Sequence, residues 1–182
     1  GRDTQFLLPE HYPITELKIS KLQMLRLAAQ KPILKSNILT GLTIRRYESF
    51  HSCPSYSKLT ATDEQTNLQN KGIHILFKQA EDGSIILGDS HEYVQANKQA
   101  EFGFEVSSEI NEMMLQEAKK IIDLPKWDVD ATWAGYYLQG THTEVYTKQV
   151  DEVIHIINGI GGKGMTTSPG FTSDYIQKLY QK

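Results

Sequence analysis

Four glycines lie within six residues near the end of the chain, at positions 159, 161, 162 and 164. Together they match the G-x-G-x-x-G pattern, whose glycines let backbone amides approach a phosphate or a flat ring closely. The apolar residues 153–157 predict a strand and residues 171–180 predict a helix, so the run lies between the elements that this chemistry needs. The alternative explanation is structural: a tight strand-to-helix turn, which needs glycine only for its positive φ, would contain the same residues.

The position of the glycine run argues against a complete dinucleotide-binding fold. Such a fold needs a second strand and an acidic residue about 20 positions beyond the glycines, but only 18 residues follow Gly164. A phosphate-binding P-loop is also excluded, because Lys163 is followed by Gly164 rather than by Ser or Thr. We therefore expect that the loop binds nothing, or that it closes over a cofactor held mainly by chain outside this sequence.

Two other segments carry residue types that could do chemistry. The segment Gly88–Tyr93 gathers four ionisable side chains that could bind a polar substrate or position a proton carrier. We favour a solvated loop there, in which Asp89 hydrogen-bonds its own turn. Arg45 and Arg46 fall in an expected strand, where one guanidinium could face inward and pair with a carboxylate or phosphate, although a surface ion pair is the more ordinary explanation.

The six histidines show none of the close spacings of a zinc site, so we expect no metal site. No side chain is assigned a catalytic role from the sequence. The aromatic residues of Trp133–Tyr137 could form a wall for a flat ligand, but they are more often part of a core.

The elements that must position these residues are predicted from apolar periodicity. Residues 72–88 predict a hairpin around Asp82-Gly83, and Ser107 is expected to cap a helix that runs to Ile122. Together the elements predict an α+β fold. Further strands are expected at residues 18–29, 38–50, 127–138, around 145 and at 153–157, and a last helix at 171–180 after Pro169-Gly170.

Composition sets broad limits on the protein. The chain has 182 residues, 39% hydrophobic content and a net charge of −3, which suits one good core or two small ones. It has no basic cluster and no long apolar window, so we expect neither a nucleic-acid partner nor a membrane span. The single cysteine, Cys53, excludes an internal disulfide and is typical of a reducing cytoplasm.

Three stretches of the chain resemble the D-amino-acid oxidase and glycine oxidase superfamily of FAD-dependent oxidoreductases. More narrowly, they resemble a bacterial branch linked to amine or aminophosphonate oxidation. The glycine stretch is the most specific of the three, and their order and spacing cover nearly the whole chain. The stretches are Lys21–Met24, Leu87–Glu92, and Trp133–Gly135 leading to Gly161–Thr166.

This resemblance implies the C-terminal half of a two-domain flavoprotein. Residues 1–17 would be a connector from a missing N-terminal FAD-binding half, and residues 18–138 a substrate-binding domain with a mixed, largely antiparallel sheet and flanking helices. Residues 139–182 would return to the FAD domain as strand, glycine loop and helix. FAD would be bound mainly by the missing half, so the isolated chain is expected to be inactive. The residues implied to face the flavin are Gly161, Gly162, Lys163, Gly164, Met165 and Thr166.

The resemblance also implies a small amine-containing substrate, which is oxidised to an imine by hydride transfer from carbon to the flavin. Members of the family often place an arginine for the substrate carboxylate just after Trp-x-Gly, whereas Tyr136 and Tyr137 fill that place here. We therefore expect Tyr136 or Tyr137 to hydrogen-bond the substrate. Arg46 or His91 is expected to hold a different anionic group, such as a phosphonate.

Two other functions fit parts of the sequence. In the first, the chain is a non-catalytic module that binds a small anion or a partner, and the glycine loop is only a structural turn. In the second, the bare glycine pattern belongs to an NAD-dependent dehydrogenase. The lack of a βαβ unit after the glycines argues against this last possibility.

Overall fold

A computed structural model describes residues 3–4, 6–13, 15–47, 50–59 and 63–181. It confirms a mixed α+β fold with antiparallel sheets and helices. The elements of the described residues are β1 (Leu17–Leu27), β2 (Ile38–Leu39), α1 (Gly41–Arg45), α2 (Asp63–Asn70), β3 (Leu76–Gln79), β4 (Ile85–Gly88), β5 (Glu92–Gln95), α3 (Ser108–Lys119), β6 (Val129–Gly140), β7 (Tyr146–Gln149), β8 (His155–Asn158) and α4 (Gly164–Tyr180).

The chain folds as two compact units. The larger unit comprises Lys21–Glu92 and Phe104–Gly135, and the smaller unit comprises Gly1–Ser20, Tyr93–Gly103 and Tyr136–Lys182. Strands β1, β5 and β6 each run from one unit into the other along the chain. The main sheet has the strand order β2-β3-β4-β1-β5, and β6 also pairs with β1.

The core of the larger unit forms between its antiparallel strands and α3. Phe77 of β3 lies opposite Leu87 of β4, which in turn lies opposite Leu25 of β1, and all three side chains are fully buried. Alternate residues of a strand share a face, so these strands present one continuous apolar surface. Each such side chain contributes about 1.5–3 kcal/mol by its removal from water.

Helix α3 covers this apolar surface with one face. Its buried residues Ile110, Met114 and Ala118 recur every four positions, the spacing that places side chains one above another on a helix. The helix begins where the Ser107 side chain accepts a hydrogen bond from the backbone N–H of Ile110, at 3.3 Å. This confirms the helix and the capping residue expected from the sequence.

The smaller unit has its own core and a two-stranded antiparallel sheet of β7 and β8. Leu17, Ile19, Ala96 and Leu138 form the buried cluster of this unit. Helix α4 belongs to the same unit, yet none of its residues is buried. Its described side chains therefore lie at the surface of this unit.

The long strand expected at residues 38–50 is wrong. Only Ile38 and Leu39 pair with β3, and the chain then turns into α1. The helix lets Leu42 pack against the core, while Thr43 donates a hydrogen bond to the Ile75 carbonyl at 3.2 Å. Tertiary packing therefore outweighs the β propensity of this apolar segment. Arg45 consequently ends a helix rather than lying in a strand.

The last helix begins earlier than its apolar pattern predicts. Helix α4 starts at Gly164 and continues through Pro169, whereas the sequence placed its start after Pro169-Gly170. Pro169 is the sixth residue of this helix, so it removes one backbone hydrogen bond and its ring crowds the carbonyl of Met165, yet the helix continues through it. The glycine run and α4 are therefore directly continuous.

No helix of the described residues is long and apolar enough to cross a membrane.

Candidate functional site

The larger unit contains a cavity of about 340 Å³. Its wall combines apolar side chains with two arginines and two histidines, so it suits a ligand that carries negative charge or hydrogen-bonding groups. Helix α1 contributes Leu42 and Arg45 to this wall, and Arg46 follows directly after the helix. The lining residues are Leu42, Arg45, Arg46, His51, Tyr56, Leu59, Gln69, Gly72, Ile73 and His74.

His74 is shared between this cavity and a buried group of ionisable side chains. We call His74, Asp89 and His91 the His-Asp-His cluster. The three residues are 3%, 7% and 3% exposed. The Nε2 atom of His74 lies 2.8 Å from Oδ1 of Asp89 and 3.2 Å from Nδ1 of His91.

Backbone pairing brings the cluster together. His74 precedes β3 and Asp89 follows β4, and these two strands are hydrogen-bonded in antiparallel register. The two residues extend the ladder, since the N–H of His74 donates to the carbonyl of Asp89 at 3.0 Å and the N–H of Asp89 donates back at 2.7 Å. The segment after β4 is therefore fixed and buried. The solvated loop expected there is wrong, because the Asp89 carboxylate faces His74 instead of bonding its own turn.

Burial lowers the pKa of His91 to about 3, from an ordinary value of 6.5. The charge of Arg46 and the neighbouring His74 also lower it, whereas the Asp89 carboxylate opposes the shift. The His91 ring is therefore neutral at physiological pH and can donate one hydrogen bond and accept another.

Acid is expected to destabilise the fold through His91. The unfolded chain takes up this proton near pH 6.5 and the folded chain only near pH 3, so the stability present above pH 6.5 is lost as the pH falls towards 3. Between pH 7 and pH 5 this single group removes about 2 kcal/mol from the free energy of unfolding. Urea unfolding in the presence of a chelator would measure the loss. The variant His91→Gln is the control and should show a flatter pH profile, whereas an equal slope in both proteins would contradict the prediction.

The structure places Arg46 and His91 near each other in the larger unit. Arg46 lines the cavity, and its charge acts on the His91 ring. Tyr136 and Tyr137 lie on β6 in the smaller unit. The Tyr136 ring packs against the core of that unit and its hydroxyl donates to the Gly103 carbonyl. Adjacent strand residues point to opposite faces, so Tyr137 lies on the other face of β6.

The glycine run lies at the start of α4. Residues Gly161–Lys163 form a single 3₁₀ turn, and Gly164 is the first residue of the helix. Gly159 and Gly161 have φ of 73° and 69°, so a turn requirement explains both of them. Gly164 has an ordinary helical φ of −54°, and a Cβ there would lie 2.9 Å from Cγ2 of Ile160.

Side chains around the glycine run are open to solvent. Met165 is 97% exposed, and Gly162, Lys163 and Thr166 are also exposed. The Nζ atom of Lys163 lies 3.3 Å from Oε1 of Glu144. At the N-terminus of α4, the side chain of the N-cap residue Lys163 accepts no hydrogen bond from the amides of the first turn.

A model of the FAD dependent oxidoreductase family matches residues 27–175, which is most of the chain. The chain belongs to this FAD-dependent oxidoreductase family. No curated protein matches the chain significantly. The family match includes the His-Asp-His cluster, the cavity-lining residues and the glycine run of this FAD-dependent oxidoreductase.

Sequence reasoning missed His74 as part of the site of this FAD-dependent oxidoreductase. The hairpin was predicted, and its register pairs Leu76 with Gly88. Two residues further along each strand, His74 therefore falls beside the Asp89–Ser90 segment. Extending the predicted ladder past its apolar residues was the signal that could have found the cluster.

Proposed function

We propose that this chain forms the substrate-binding part and the flavin-covering segment of an oxidoreductase that oxidises the C–N bond of an amine, amino acid or aminophosphonate. In this proposal residues 18–138 bind substrate, residues 139–182 belong with the FAD domain, and residues 1–17 connect to an N-terminal FAD-binding half. The observation that carries the proposal is the glycine run at a helix N-terminus without a side-chain cap, beside the exposed residues Gly162, Lys163 and Met165, in a chain of an FAD-dependent family.

The glycine run suits contact with an anionic ring. Two of its glycines are explained by the turn, whereas Gly164 has an ordinary helical φ and its missing Cβ leaves room for the Ile160 side chain. The positive end of the helix dipole favours negative charge in front of it. When bound, FAD would supply the two-electron acceptor. Residues 161–166 would then stabilise the negative charge that develops on the reduced ring.

The cavity of the larger unit suits the substrate side of the reaction. Arg46 offers a guanidinium for an anionic substituent, such as a carboxylate or phosphonate. His91 does not line the cavity, but its neutral ring contacts His74, which does, and we keep His91 as a proposed substrate-binding residue. We include Tyr136 and Tyr137 as hydroxyl donors to the substrate, and the protein is proposed to act in the cytoplasm.

Flavin spectroscopy tests the proposal on the protein expressed from its complete reading frame. We expect bound FAD and amine-dependent flavin reduction. In that protein Gly164→Val should lower kcat/KM about 100-fold, because a side chain replaces the backbone surface that faces the ring. Lys163→Ala should shift the visible flavin spectrum. Lys178→Ala, at the exposed end of the same helix, and Gly170→Ala, where a Cβ meets nothing within 4 Å, are the matched controls.

Two results would count against this function. The absence of FAD from the complete protein would contradict the flavin proposal. Tight stoichiometric FAD on the 182-residue chain alone would contradict the assignment of most flavin contacts to a separate half.

A non-catalytic anion-binding module is the second candidate. Two arginines line the cavity, and the positive φ of Gly159 and Gly161 accounts for half of the glycine run as a turn. This candidate predicts that Lys163→Ala and Gly164→Val leave both the flavin spectrum and turnover unchanged. Inorganic phosphate would then bind the chain, and Arg46→Ala would abolish that binding.

A further inference from the structure

The three side chains of the His-Asp-His cluster direct potential metal-ligand atoms towards one another. One ligand atom from each of the three side chains lies within 4.8 Å of the other two. His74 Nε2 is central, because it lies 2.8 Å from Asp89 Oδ1 and 3.2 Å from His91 Nδ1. Among the described residues, the cluster is the one group of three or more histidine, cysteine or acidic side chains whose potential ligand atoms lie this close together.

These spacings match the edges of a metal coordination shell. Imidazole nitrogens and carboxylate oxygens bind Zn²⁺ at about 2.0–2.2 Å, so neighbouring ligands lie about 2.8–3.1 Å apart in an octahedral shell and about 3.3–3.6 Å apart in a tetrahedral one. The two short distances of the cluster, 2.8 and 3.2 Å, are close to these edge lengths. Two imidazoles and one carboxylate are also a donor set that suits Zn²⁺ and other divalent transition metals.

Hydrogen bonding leaves part of the cluster unsatisfied. Oδ1 of Asp89 accepts no hydrogen bond from the described residues, although His74 Nε2 is only 2.8 Å away. Nδ1 of His74 likewise has no hydrogen-bond partner among them. A carboxylate oxygen without a donor, in a residue that is only 7% exposed, is costly to bury, and a bound cation would offset that cost.

The cluster lies beside the cavity. His74 lines the cavity and is itself a member of the cluster. Three protein ligands beside an open space are typical of a metal site that keeps a position for water or another ligand.

We propose that His74, Asp89 and His91 bind a divalent transition-metal ion of the Zn²⁺ type, through Nε2, a carboxylate oxygen and Nδ1 respectively. The sequence predicts no metal site, because the three residues have none of the short spacings of a zinc motif. The ladder between β3 and β4 supplies the proximity that the spacing lacks. The inference does not rest on the flavin chemistry, since binding is measured without flavin or substrate.

Metal titration of the chelator-treated 182-residue chain tests the site. We expect one equivalent of Zn²⁺ to bind by calorimetry, and one equivalent of Co²⁺ to give the visible absorption of a low-coordinate nitrogen and oxygen site. Asp89→Asn keeps the side-chain shape and removes the charge, so it should weaken Zn²⁺ binding more than about 100-fold, beyond the effect of losing an outer-shell partner. His142→Gln, an exposed histidine outside the cluster, should leave the affinity unchanged.

Three outcomes would overturn the metal site. They are no stoichiometric binding by the wild-type chain, equal binding by a folded Asp89→Asn variant, and an equal loss in His142→Gln. If Asp89→Asn does not fold, the wild-type titration still decides. In that titration, no binding would mean that the cluster is a hydrogen-bonded network of two histidines and a carboxylate without an ion.

Discussion

Replacing Gly72 by alanine is expected to lower the free energy of unfolding by about 2–5 kcal/mol, the sum of left-handed backbone strain and overpacking. Gly72 follows α2 with φ of 61°, a conformation that costs any residue with a Cβ. A Cβ there would lie 2.4 Å from the backbone oxygen of His91 and 2.7 Å from its Cβ. Neither atom is the end of a flexible side chain, so the backbone must move.

The same substitution should disturb the site. Gly72 lines the cavity, and the backbone that must move carries His91. We therefore expect Gly72→Ala to weaken Zn²⁺ binding along with stability, through displacement of the Nδ1 atom of His91. Gly135→Ala is the matched control, because a Cβ there meets nothing within 4 Å.

Urea unfolding of the two glycine variants measures the difference. A lower midpoint with an unchanged slope would assign the effect of Gly72→Ala to the folded state. The prediction is contradicted if Gly72→Ala and Gly135→Ala change the unfolding free energy equally. It is also contradicted if Gly72→Ala loses stability while Zn²⁺ affinity stays at the wild-type value.

Short-range signals made the hairpin and α3 predictable. Gly83 has φ of 84° between β3 and β4, and the Asp82 carboxylate accepts a hydrogen bond from the Ser84 N–H at 2.9 Å. Both features depend on residues that are close in sequence, so the Asp-Gly pair by itself is enough to predict the turn. Ser107 and Ile110 likewise form the cap of α3 within a single turn.

Elements fixed by tertiary contacts were harder to predict. Leu42 and Ile44 fit a strand by residue type, yet α1 forms because Leu42 reaches the core and Thr43 reaches the Ile75 carbonyl. No short-range pattern contains that information. The end of α2 is predictable from Gly72, since a glycine with positive φ often follows the last turn of a helix.

The site was predicted in fragments. The sequence predicts Arg46 and His91 as alternative ligands of an anionic group, and the structure places both in the larger unit. His74 could not be recognised from type or spacing, because its partner Asp89 is joined to it by the strand ladder. The roles of Tyr136 and Tyr137 stay predictions.

Gln23→Leu is expected to lower the free energy of unfolding by about 2–4 kcal/mol, since it removes several hydrogen bonds of a buried side chain. Gln23 is fully buried. Its Oε1 accepts the Ser107 N–H at 2.8 Å, and its Nε2 donates to the Ser107 carbonyl at 2.6 Å and to the Asn111 side chain. Leucine has a similar volume but leaves the Ser107 N–H without this acceptor, directly beside the cap of α3.

The effect of Gln23→Leu should concentrate on the attachment of α3. The backbone of Gln23 still pairs with Ser90, through an N–H bond to Oγ at 3.2 Å and a return bond at 3.2 Å, so the neighbouring Asp89 keeps its support. Zn²⁺ affinity is therefore expected to change much less than stability. Hydrogen exchange should be faster in the first turn of α3 than in β3 and β4.

A double-mutant cycle separates the hydrogen-bond network from simple packing. Asn111→Ala removes one partner of Gln23, so the two substitutions should couple by about 0.5–3 kcal/mol instead of adding. Gln149→Leu, on the exposed face of β7, is the control for the amide-to-leucine change and should stay within about 0.5 kcal/mol of wild type. Strict additivity of Gln23→Leu and Asn111→Ala would show that the Gln23 amide does not hold α3 through Asn111. If Gln149→Leu lowers the free energy of unfolding as much as Gln23→Leu does, the burial of Gln23 does not explain the effect of Gln23→Leu.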